Sequence, residues 1–175
     1  SKIPWNVENY ILSEDKKTIG FVTNEAGLNK MYLMKASDKS YAAVKNIPIG
    51  LIGGGAFTKD NQQLFFTQST AQTASDVYKL NLATGAIQRW TESELGEMQQ
   101  SDMALPKFIE WKSFDNLKIS GFYYPAAAKF IGKRPVLINI HGGPEGQSMA
   151  SFLGSNNYYT NEMGVALIFP NVRGS

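Results

Sequence analysis

The chain has 175 residues, 43% hydrophobic and 18% charged, with a formal net charge of +2. This is a globular composition, and its dispersed lysines give no basic patch for a nucleic acid. With no cysteine and one histidine, disulfides, cysteine nucleophiles and thiolate or histidine-rich metal sites are excluded, so no metal or other cofactor is expected. No stretch approaches the roughly 20 apolar residues of a membrane-spanning helix. The start, SKIPWNVENY, lacks the pattern of a signal peptide and has the character of a domain interior, which leaves the compartment open.

The first hundred residues contain a repeat. LSEDKKTIGFVTNEAGLNKMYLM (12–34) aligns with FTKDNQQLFFTQSTAQTASDVYKL (57–80), pairing Ser13 with Thr58, Asp15 with Asp60, Phe21 with Phe66 and Tyr32 with Tyr78. The offset is 45 residues for the first three pairs and 46 for the last. Asp-Lys-Lys and Asp-Asn-Gln are turn chemistry, because Asp and Asn bond their own backbone and tolerate left-handed angles. β-Branched and aromatic runs follow each turn, then period-two segments, and Thr84-Gly85 marks a further turn. Short strands at such a period predict β-propeller blades over the alternative of a plain antiparallel sheet whose hairpins look alike by chance, and two blades cannot close a fold that needs about four to eight. Residues 1–91 are therefore expected to be the last two blades of a larger propeller. IPIGLIGGGAF (47–57) lacks the Lys-Ser/Thr and the helix of a phosphate loop, and its glycines are expected to pass flexibly between blades.

Residues 92–106, ESELGEMQQSDMALP, are polar and end in proline; a linker with room for a short helix is expected. PKFIEWKSFDNLKISGFYYP predicts a hairpin around Phe114-Asp115-Asn116. VLINI (136–140) and VALIF (165–169) are continuous apolar runs, the mark of strands buried on both faces of a parallel sheet. Residues 148–163 have helix length, with Phe152, Tyr159 and Met163 roughly on one face and Gly164 at the left-handed C-cap. Strand, helix, strand makes the sheet α/β in type.

His141-Gly142-Gly143-Pro144 lies at the carboxyl end of the first of these strands, where such sheets bind ligands. Glycines there either serve a tight turn or expose backbone N–H groups as an oxyanion hole does. On the tetrapeptide alone both readings stand.

PVLINIHGGPEGQ, a helix and GVALIFPNVRGS together resemble the prolyl oligopeptidase family of serine peptidases, most of all its acylaminoacyl-peptidase and dipeptidyl-peptidase-like branch. FIEWKSFDNLKISGFYYP is similar to the segment by which that family enters its catalytic domain, with Asp115-Asn116 where Asp-Gly is usual. The resemblance implies a propeller followed by the N-terminal part of an α/β-hydrolase domain, here residues 107–175. It implies a serine peptidase acting through an acyl-enzyme on short peptides or acyl-peptides, the propeller restricting access. Gly143 would then offer its N–H to the oxyanion, with Gly142 and Pro144 shaping the loop.

The triad of this fold follows in the order Ser, Asp, His after the second strand, so His141 precedes it and is assigned to structural support of the loop. The triad lies outside these residues, and the chain alone is expected to be inactive. Gly146-Gln147-Ser148-Met149-Ala150 imitates a nucleophile elbow but follows a loop, so Ser148 is expected to N-cap the next helix. Ser175 has no elbow, and Arg173 is expected to form a structural ion pair. Two alternatives remain: a carboxylesterase or lipase of the same fold, and a propeller binding module fused to a degenerate hydrolase. Unpaired strand edges would favour self-association.

Overall fold

The computed structural model describes residues 3–143 and 145–175. Two four-stranded antiparallel sheets come first. One contains β1 (Asn6–Leu12), β2 (Thr18–Glu25), β3 (Leu28–Lys35) and β4 (Tyr41–Ala43), and the other β5 (Gly50–Phe57), β6 (Gln63–Thr70), β7 (Thr73–Asn81) and β8 (Ile87–Arg89), each in sequential order.

The repeat extends to individual hydrogen bonds. Between β1 and β2 the Ser13 hydroxyl donates to Asp15 at 2.7 Å and accepts the Thr18 N–H at 2.9 Å, with Lys16 at φ 59°. Between β5 and β6 the Thr58 hydroxyl donates to Asp60 at 2.5 Å and accepts the Gln63 N–H at 3.1 Å, with Asn61 at φ 57°. Phe21 stacks on Tyr32 at 5.1 Å between centroids, and Phe66 on Tyr78 at 5.8 Å. The change of offset from 45 to 46 also has a cause. Gln68 pairs with Asp76 but Thr70 with Thr73, so β7 carries one more residue than β6 over that stretch, whereas β2 and β3 pair without a shift. A bulge of this kind inserts one residue and kinks the strand.

The two sheets bury Val22 and Met31 from one against Ile52, Phe57, Leu64, Phe66, Tyr78 and Leu80 from the other. Each such side chain contributes about 1.5–3 kcal/mol by leaving water. The glycines of 47–57 are not a flexible connector. They form β5, and its pairing with β6 shifts register between Ile52 and Gly55. A Cβ on Gly55 would collide with the Phe65 carbonyl, so close strand approach explains the glycine.

The linker holds only a 3₁₀ turn, Gln100–Asp102, tied to the second sheet by the Gln72 side-chain amide donating to the Gln100 carbonyl at 3.0 Å. The third sheet comprises β9 (Lys107–Lys112), β10 (Lys118–Tyr124), β11 (Val136–Ile138) and β12 (Ala166–Asn171), ordered β11-β12-β10-β9. The β9–β10 hairpin turns at Asn116, φ 67°, and β11 runs parallel to β12.

Two expectations fail here. VLINI is not buried: Val136 is 49% and Ile138 59% exposed, because β11 stands at the sheet edge and no described element covers it. The helix predicted over 148–163 shrinks to a 3₁₀ turn, Gly154–Asn156, and α1 (Asn157–Asn161). Gly154 at φ 56° and the weak helix formers Ser155, Asn156 and Asn157 account for this. Residues 147–153 stay extended because their backbone groups bond sideways, as described below. The C-cap of α1 is Glu162 rather than the expected Gly164; Gly164 turns the chain two residues later at φ 63°, and the Arg134 guanidinium donates to its carbonyl at 2.8 Å.

The third sheet packs on the ends of the first two. Phe122, Tyr124, Ala150, Leu153 and Leu167 form a second core with Ala71 of the β6–β7 turn and with Leu28 at the start of β3.

Candidate functional site

Two loops converge beyond the carboxyl ends of β11 and β12. The first begins at Asn139, whose N–H donates to the Ile168 carbonyl at 2.8 Å and extends the β11–β12 pairing. His141, Gly142 and Gly143 follow. Gly143 adopts φ 61°, and the Gly146 N–H closes a turn onto the Gly143 carbonyl at 3.0 Å. A Cβ on Gly143 would meet nothing within 4 Å, so the backbone angle rather than space calls for glycine there. Gly142 and Gly143 are exposed, and among the described residues no hydrogen bond uses either N–H. Pro144 lies outside the described residues.

The second loop, Val172–Ser175, brings the Ser175 hydroxyl 2.7 Å from His141 Nε2. The Ser175 hydroxyl also donates to the Val172 carbonyl at 2.6 Å. His141 Nδ1 in turn lies 3.4 Å from the Gly142 carbonyl. The His141–Ser175 pair ties the two loops together.

Ser148 is not a helix cap. It is buried, far from the start of α1, and its backbone is bound by the Asn171 side chain: the Ser148 N–H donates to Asn171 Oδ1 at 2.7 Å, and Asn171 Nδ2 donates to the Ser148 carbonyl at 3.1 Å. The Ser148 hydroxyl points at the Pro170 carbonyl, 3.3 Å away. Arg173 forms the expected ion pair, 2.5 Å from Asp115 in the β9–β10 turn. The hydrogen bond from Arg173 holds the Asp115 carboxyl below its ordinary range. A recess of about 250 Å³ beside this pair is lined by Ser120, Gln147, Asn171, Arg173 and Ser175.

Sequence reasoning placed Gly142, Gly143 and His141 in one loop but missed Asn171 and Gln147. A lone Asn at a strand end and a lone Gln in a loop carry no periodicity, and only the structure shows what they bind. Among the described residues no three His, Cys, Asp or Glu side chains gather as a metal site would need, and no helix is long and apolar enough to cross a membrane.

No family model matches the chain, and no curated protein matches its sequence. Solved structures do match. One, from a study of two prolyl endopeptidases, superposes over 100% of this chain with a TM-score of 0.78 at 15% identity. Acylaminoacyl peptidase from Pyrococcus horikoshii matches over 100% of the chain with a TM-score of 0.72 at 21% identity. Prolyl oligopeptidase B from Galerina marginata matches over 98% with a TM-score of 0.79 at 14% identity. The chain spans only 25%, 27% and 24% of these proteins, respectively. Over that quarter of their length, the chain has the fold of the prolyl oligopeptidase family of peptidases.

Proposed function

We propose that the chain is the junction of a serine peptidase, where the last two propeller blades (1–91) lead through a linker (92–106) into the first part of an α/β-hydrolase domain (107–175). The nucleophile and its Asp and His partners belong to the remainder of that enzyme. The substrates are short peptides or acyl-peptides, cleaved through an acyl-enzyme, and the residues described here are inactive by themselves.

The observation that carries this reading is the Gly143 N–H. It is exposed, without a partner among the described residues, and held beyond the carboxyl end of a strand that runs parallel to its neighbour. A donor in that position can meet the negative charge that develops on a carbonyl oxygen during acyl transfer. The four-stranded sheets ahead of it favour a peptidase over a lipase or carboxylesterase, which rarely carry a propeller.

Replacing Gly143 by glycolic acid turns the amide into an ester and deletes the N–H while leaving the backbone shape. In the whole protein kcat is expected to fall by about 10²–10³ with KM little changed, as for other oxyanion-hole donors. An unchanged kcat removes Gly143 from the mechanism.

A further inference from the structure

The segment carrying Gly143 runs between two anchors, Asn139 on β12 and Ser148 on Asn171. The second anchor is also gripped from the opposite side by the turn between β2 and β3. The Ala150 N–H donates to the Gly27 carbonyl at 3.2 Å, and the Asn24 side-chain amide donates to Gln147 Oε1 at 2.6 Å. Gly27 has φ 88°, and a Cβ there would lie 2.8 Å from both the Phe122 ring and the Ser148 carbonyl. The turn backbone is thus in direct contact with residues 147–150. Asn24 is itself held, since its Oδ1 accepts the Gly27 N–H at 2.9 Å and its amide also donates to Glu8 at 2.9 Å.

We infer that the β2–β3 turn, through Asn24 and Gly27, is a strut that positions the loop carrying Gly143. This rests on the peptidase reading above and adds to it that the first sheet sets the geometry of the oxyanion donor. The connection is short. The Gly146–Gly143 turn ends immediately before Gln147, and a Cβ on Gly146 would lie 2.6 Å from the Gly142 carbonyl and 2.8 Å from His141 Nδ1. A shift of residues 147–150 therefore moves Gly146, which is in direct contact with His141, Gly142 and Gly143. An oxyanion donor works only at about 2.7–3.1 Å from the charged oxygen, and a misplacement of about 1 Å can cost about 10²-fold in rate. Asn24 and Gly27 touch no substrate in this account; they are positioning residues.

The test uses two variants of the whole protein. Gly27→Ala pushes a methyl group into Phe122 and Ser148. Gln147→Ala removes the side-chain link without adding an atom, so it serves if the first variant does not fold. Amide hydrogen exchange is read at Gly146 and Ser148, beside kcat and KM. The Ser148 N–H bonds Asn171 and not the turn, so its exchange reports transmitted movement rather than a deleted bond. Exchange at both amides is expected to accelerate about tenfold through local opening, with kcat falling about tenfold at unchanged KM. Unaltered exchange in both variants overturns the strut, and so does faster exchange with kcat intact. A wild-type protein with no hydrolase activity defeats the peptidase reading instead, and the exchange rates alone then decide whether the turn holds the loop.

Discussion

Asp76 alone among the described carboxylates is buried. It sits beside the bulge in β7, and both of its oxygens are bonded. Oδ2 accepts from Arg89 at 2.8 and 3.1 Å, and Oδ1 accepts from the Ser93 N–H at 2.7 Å and the Thr91 hydroxyl at 3.0 Å. One side chain thereby fixes β8 and the start of the linker to the second sheet. Burial pushes the Asp76 carboxyl upward, but the bonds from Ser93 and Thr91 and the Arg89 charge outweigh it, and the group lies below its ordinary value of 3.8. A depressed carboxylate stabilises the fold fully above its unfolded pKa, and that contribution is lost as pH falls through the folded value. Asp76→Asn is expected to cost about 3 kcal/mol at neutral pH, the scale of breaking a buried pair. The gap in unfolding midpoint between wild type and variant should shrink as pH drops below about 4. A gap that stays constant into acid assigns the cost to packing rather than charge.

The elements divide by how local their causes are. The turns at Asp15 and Asp60, the Asn116 hairpin and the left-handed backbone at Gly164 were all legible, because each depends on two or three neighbouring residues with one well-defined conformational demand. The repeat was legible for the same reason, down to the extra residue in β7. Burial and helix length over residues 136–163 were not. VLINI has the composition of a strand covered on both faces, but coverage depends on partners distant in sequence. The predicted helix was lost to Asn171, which claims the Ser148 backbone that a helix would have used. The exposed strand β11 therefore carries a liability. Its apolar side chains and its outer row of backbone groups form a template for pairing with another strand. Residues 1–175 produced alone are expected to self-associate, with Ile138→Lys reducing the association; a monodisperse monomer in light scattering contradicts this.

At the scale of the whole molecule, two repeated sheets and a third mixed sheet meet around one junction. That junction lies where Gly27 and Asn24 of the first sheet touch the segment after the glycine loop. Of the candidate site, the sequence disclosed the loop that joins His141, Gly142 and Gly143. It did not disclose the Asn171 clamp or the contact with the first sheet, both of which join residues far apart in the chain. The histidine and serine that do meet, His141 and Ser175, join the two loops at 2.7 Å. The peptidase reading proposed above puts the nucleophile outside residues 1–175. Labelling the whole protein with a fluorophosphonate and mapping the modified residue tests this most directly. The predicted result is one modified serine outside residues 1–175, with Ser148 and Ser175 untouched; modification of either of those two, or no modification at all, contradicts it.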